Sequence, residues 1–198
     1  MKLKLALSLS ALFFAGSLFA APQVGQAAPA FNLTDSKGKS HSLADFAGKT
    51  VVLEWTNHDC PFVVKHYSGN MQSLQKQFGT DDVVWLTVIS SAPGKQGHVT
   101  GAKADELTSS RNAMPDAVLF DEAGVTGKAY DAKTTPHMYV IDKKGVLQYM
   151  GGIDSIPSAK VDDIAKATPY FSDALTAVLA GNPANPAVTK PYGCSIKY

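Results

Sequence analysis

The stretch Val51–Tyr67, VVLEWTNHDCPFVVKHY, constrains this chain more than any other. Its apolar residues run together from Val51 to Trp55 without alternating, the pattern of a central strand buried on both faces. A short polar turn follows, then Cys60-Pro61, then residues that suit the opening of a helix. Pro61 fits the first helical position, where a missing N–H costs nothing. A thiol at such a junction meets orphan backbone N–H groups and the positive end of the helix dipole, and both favour thiolate over thiol. Cys60 is therefore a candidate nucleophile, with a buried inert thiol or a static disulfide as the plain alternative.

The residues on either side extend this unit. Val63, Tyr67, Met71, Leu74 and Phe78 recur at spacings of three and four and predict a helix from Pro61 to about Phe78, weakened and bent at Gly69-Asn70. Val83–Ile89 reads as a second buried strand, so strand, helix and strand form a β-α-β unit in a partly parallel sheet. Upstream, Phe31–Leu43 reads as a small hairpin around the turn DSKGK. Downstream come a helix within Val99–Asn112, a short strand Ala117–Phe120, a helical turn or two over Val125–Tyr130, and a hairpin of His137–Ile141 with Val146–Met150. A last helix ends near Leu179, its start reset by Pro169, and the proline-bearing tail 182–198 should be extended. At 198 residues, one domain with a full core is expected.

The first twenty residues stand apart. Lys2 and Lys4 precede the apolar run Leu5–Phe19, and Ala20-Ala21 offer small residues for cleavage, so residues 1–20 read as a secretory signal peptide. The run is too short and too interrupted by serine and glycine for a spanning helix. Residues 21–30 read as a flexible leader, 31–181 as the folded domain and 182–198 as a tail carrying Cys194. Without Lys2 and Lys4 the formal charge of +1 falls to −1, which does not suggest nucleic acid or an anionic membrane as partner. Export to a periplasmic or secreted location would put the two cysteines, Cys60 and Cys194, where disulfides persist. Only one intramolecular pair can form, and whether it forms or turns over is open.

Four stretches carry a family resemblance: GQAAPAF at Gly25–Phe31, LADFAGKTVVLEW at Leu43–Trp55, Cys60-Pro61, and TTPHMYVID at Thr134–Asp142. With the order of elements they resemble the thioredoxin-like fold. The resemblance is to its redoxin branch, the alkyl hydroperoxide reductase and thiol-specific antioxidant proteins that include peroxiredoxins. It implies an α/β fold, a central mixed sheet flanked by helices with an N-terminal hairpin extension. It also implies a cis Pro136, with Thr135 lying against Cys60 to align a disulfide or peroxide substrate.

The sequence departs from the pattern in places that matter. A thioredoxin would carry a second cysteine where Val63 stands, and a peroxiredoxin a threonine or serine at Asn57 and a proline at Leu53. The missing thiol leaves Cys194, in KPYGCSIKY, as a resolving or partner cysteine if the tail folds back. His58, His66 and His137 are candidates to tune the Cys60 pKa, with Lys65 adding positive potential and Trp55 and Phe62 forming core or site wall. Glu54, inside the apolar strand, is either a buried carboxylate with a raised pKa or the partner of a lysine. The leading expectation is an exported thiol-disulfide oxidoreductase or peroxiredoxin-like antioxidant, with an external reductant and no cofactor. The alternatives are a binding module with a permanent Cys60–Cys194 bridge and a copper carrier using Cys60 with histidines.

Overall fold

The computed structural model describes residues 21–198; the signal-peptide expectation for residues 1–20 lies outside them. The strands are β1 (Asn32–Asp35), β2 (Ser40–Ser42), β3 (Thr50–Trp55), β4 (Val83–Ile89), β5 (Ala117–Phe120), β6 (Thr134–Thr135), β7 (His137–Ile141), β8 (Leu147–Gly151) and β9 (Cys194–Ser195). The helices are α1 (Pro61–His66), α2 (Asn70–Phe78), α3 (Gly101–Ser110), α4 (Val125–Ala129) and α5 (Tyr170–Leu179). Seven strands form one sheet in the order β2-β1-β5-β4-β3-β7-β8, and β6 and β9 form a separate two-stranded ribbon. The sheet is mixed: β3 pairs parallel with β4 and antiparallel with β7. β3 thus sits inside the sheet, and all six of its residues are buried.

Two apolar layers hold the sheet. Val52, Trp85, Met138, Val140 and Tyr149 pack with Met71, Leu74 and Phe78 of α2 and Phe171 and Leu175 of α5. Val51, Leu53, Trp55, Val84, Leu86 and Val88 pack on the other face with Tyr130, Tyr139 and Leu147. Each large side chain removed from water in this way contributes about 2 kcal/mol.

The helix predicted across residues 61–78 is two helices. Gly69 lies at φ +133, a backbone conformation that β-carbon-bearing residues avoid, and it breaks the run between α1 and α2. The Tyr67 carbonyl freed by the break accepts from Gln72 Nε2 at 2.8 Å. The residues expected to form a flexible leader are also tied down. Gly25 N–H donates to the Leu147 carbonyl at 2.8 Å and Leu147 N–H returns to Gln26 at 2.9 Å, so this segment docks on the β8 hairpin. The last helix begins after Pro169, preceded by a 3-10 stretch at Val161–Lys166. Beyond α5 the tail has no helix and runs back across the molecule to pair β9 with β6.

Candidate active site

Cys60 caps α1 with extended backbone at φ −75, ψ 122, ahead of Pro61. Its side chain is fully buried. The sulfur donates to the Thr135 carbonyl at 3.1 Å and accepts the Cys194 N–H at 3.4 Å. Thr135-Pro136 is a cis peptide, and Thr135 lies opposite Cys194 in the β6–β9 ribbon. That pairing needs glycine just before the cysteine. Gly193 has φ +132, and a Cβ there would run into the Thr135 carbonyl.

Both thiols are free, and their environments polarise them in opposite senses. Burial pushes the Cys60 thiol up, but hydrogen bonds from the Cys194 thiol, the Val63 N–H, the Cys194 N–H and Thr135 outweigh it and hold the group below the ordinary thiol value. Val63 therefore replaces the expected second thiol while its backbone still supports the first. Cys194 is pushed up to about 11 by burial, by its hydrogen bond to Cys60 and by repulsion from the charge there. Cys60 ionises first and Cys194 holds the proton, the division of labour a nucleophile and a partner thiol require.

The other predicted site residues are arranged differently. Lys65 and His66 turn away from the thiol into a buried cluster. Lys65 Nζ lies 3.3 Å from Asp154 Oδ2, and His66 Nε2 lies 3.0 Å from the Tyr192 hydroxyl. Burial lowers His66 to about 4, helped by the Lys65 charge against the pull of Asp154, so its ring is neutral at neutral pH. His137 is likewise buried, its Nδ1 3.0 Å from the Tyr139 hydroxyl, and burial with the Lys133 charge lowers it to about 3. His58 contacts Asp59 at 3.2 Å, and its carbonyl accepts from Arg111 at 3.0 Å. None of the three histidines hydrogen-bonds Cys60. Among the described residues no three His, Cys, Asp or Glu side chains gather as a metal centre needs.

Trp55 is a core residue. Its indole N–H donates to Ser90 at 2.9 Å, and its ring packs on Tyr130 and Tyr139. Glu54 is the buried carboxylate and has no lysine partner among the described residues. It accepts from the Tyr67 hydroxyl at 2.8 Å, the Trp85 indole at 3.0 Å and Thr87 at 3.4 Å, yet burial still lifts it to about 7. Sequence reasoning missed Tyr192, Asp154 and Gly193. The aromatic-glycine-cysteine order of the tail was the one available signal.

Comparison with known proteins agrees with this fold. The family model for AhpC/TSA matches residues 24–150. The chain belongs to the AhpC/TSA family. It is 31% identical over 128 residues to thioredoxin-like protein YneN of Bacillus subtilis, covering 64% of this chain and 69% of that protein. It is 29% identical over 152 residues to the chloroplastic peroxiredoxin Q of Populus jackii, covering 76% and 70%. Among solved structures, a hypothetical protein from Sinorhizobium meliloti superimposes with a TM-score of 0.74 at 21% identity, covering 90% of this chain and 96% of that one. The thioredoxin domain of a thiol-disulfide oxidoreductase from Bacteroides vulgatus gives 0.52 at 17% identity, covering 74% and 98%. The fold is thioredoxin-like.

Proposed function

We propose that this AhpC/TSA protein is an exported thiol-disulfide oxidoreductase in which Cys60 is the nucleophile and Cys194 the resolving thiol. The observation that carries this is the hydrogen bond from the Cys194 N–H to Cys60 Sγ, made where Cys194 pairs with Thr135 in the β6–β9 ribbon, with the Cys60 thiol held below its ordinary value. The Cys60 thiolate attacks one sulfur of a substrate disulfide, forming a mixed disulfide and expelling the other sulfur as a thiolate that takes up a proton. Cys194 then gives up its proton and attacks the Cys60 sulfur. The second substrate thiol leaves, and a Cys60–Cys194 disulfide remains for an external dithiol to reduce.

A disulfide substrate is favoured over a peroxide by what surrounds Cys60. Asn57, where peroxiredoxins carry threonine or serine, spends its side chain on the Gln96 carbonyl and the Asp59 N–H. Arg111 donates to the His58 carbonyl and lies over the Tyr67 ring, so its guanidinium is already engaged. The backbone of Thr135, by contrast, already pairs with an extended cysteine-bearing strand.

Turnover of a protein disulfide and of an alkyl hydroperoxide by Cys60→Ser and Cys194→Ser tests the reading. The first variant should lose activity, and the second should accumulate a mixed disulfide on Cys60 detectable by mass spectrometry. Wild-type activity in both variants sinks the proposal, and faster turnover of the peroxide moves it to the peroxidase class. The same spectra read whether the exported chain starts near Ala21, as the leader pattern Lys2–Ala21 suggests. A permanent bridge would instead show a reduction potential below about −300 mV.

A further inference from the structure

The proposed roles of the thiols leave one buried cluster without a task. Lys65, His66 and Asp154 are 1%, 0% and 5% exposed, and they converge on the hydroxyl of Tyr192, two residues before Cys194. That hydroxyl donates to Asp154 Oδ1 at 2.5 Å and lies 3.3 Å from Lys65 Nζ and 3.0 Å from His66 Nε2. Asn70 donates to His66 Nδ1 at 2.8 Å, which leaves Nε2 carrying the hydrogen that faces Tyr192. Lys65 Nζ also reaches the Ile156 carbonyl at 3.3 Å, and Asp154 Oδ1 accepts from the Ile156 N–H at 3.0 Å. The ring of Tyr192 meets Phe62 edge-on at 5.7 Å. Lys65 and Asp154 also hold each other and the Ile156 backbone, whereas the hydrogen bond of His66 Nε2 exists only while Tyr192 is seated.

A buried ion pair gives little net stability over apolar residues of the same volume, so geometry is the better account of this one. Lys65 and His66 belong to α1, which Cys60 caps, whereas Tyr192 belongs to the tail that carries Cys194. The cluster therefore joins the two thiol-bearing segments. We propose that Lys65, His66 and Asp154 form a socket for Tyr192, and that this socket positions Cys194 over Cys60. Tyr192 is a positioning residue: its hydroxyl bonds Asp154, Lys65 and His66 and neither sulfur. The inference rests on the reading of Cys194 as partner thiol.

Two measurements on full-length Tyr192→Phe, which keeps the ring and removes only the hydroxyl, test it. The first is the rate at which iodoacetamide alkylates Cys60 in the reduced protein, located by peptide mass mapping. The second is the equilibrium with glutathione, in which the two thiols become one disulfide while oxidised glutathione becomes two reduced molecules. Leaving the buried His66 Nε2 without its hydrogen-bond partner, and taking one bond each from Lys65 and Asp154, is expected to speed alkylation and lower the equilibrium constant by about tenfold each. Tyr130→Phe, which removes a hydroxyl bonded to the Pro29 carbonyl away from the thiols, should change neither. Values for Tyr192→Phe within about twofold of wild type overturn the inference. If wild type forms no Cys60–Cys194 bond, the redox reading falls, and the alkylation ratio alone decides the socket: a tenfold rise supports it and parity overturns it.

Discussion

Glu54 shows how far a single residue can be read in advance. A carboxylate in an apolar run is conspicuous, but whether it meets a lysine or stands alone depends on neighbours from other strands. The neighbours turn out to be Trp85 and Thr87 on β4 and Tyr67 at the end of α1, all neutral donors. Its pKa of about 7 exceeds the unfolded value near 4.3, so the folded state holds its proton after the unfolded state has released it. The stabilising difference is complete below pH 4.3 and is lost as pH rises through about 7. Glu54→Gln should therefore remove a pH dependence of about 3 kcal/mol between pH 4.5 and 7.5, measured as the difference between the two proteins in urea unfolding at each pH. Parallel curves would show that Glu54 ionises normally. The histidines teach the complementary lesson. Successive helical residues turn by about 100°, so Lys65 and His66, five and six places after Cys60, project away from the thiol, whereas Val63 stays beneath it.

At the scale of elements, the strand, turn and helix around Cys60 and the Thr-Pro entry to β7 were legible because each is specified by neighbours in sequence. Gly69-Asn70 was legible for the same reason as a weak, bent point in one helix, but not as the break that makes α1 and α2 two helices. The β6–β9 ribbon was not legible, since two residues on each side carry no periodicity. What fixes it is contact: Gly193 against the Thr135 carbonyl, and the Tyr198 ring seated over Gly124 and Gly127 with its hydroxyl 2.8 Å from the Ala132 carbonyl. Gly193→Ala should lift the ribbon. Both the added Cβ and the positive φ oppose it, by about 1–3 kcal/mol for the backbone alone, so Cys60 should become open to alkylation with little change in circular dichroism. Unchanged protection of Cys60 would mean that the tail tolerates the shift.

For the whole molecule, the consequence is that the site closes only when the end of the chain returns to its centre. Cys60 and Cys194 are separated by 134 positions, so oxidation would close most of the domain into one loop. In the chain-entropy model such a loop stabilises the folded state by ~5 kcal/mol, an expected rise in melting temperature of about 10–20 °C for the oxidised over the reduced protein. Calorimetry of the two forms checks it, and equal melting points would show that the reduced tail is already as confined as the bridged one. By itself the sequence determined the order of strands and helices and the place of Cys60 between them, because hydrophobic period, turn residues and proline act over short stretches of chain, and on that order rests the resemblance to the thioredoxin-like fold. The partner of that cysteine and the partners that bury Lys65 and His66 were decided by tertiary structure alone. Those outcomes depend on the path of a seventeen-residue tail across a finished surface, where a fit between Tyr192 and a buried cluster outweighs any preference the tail has locally.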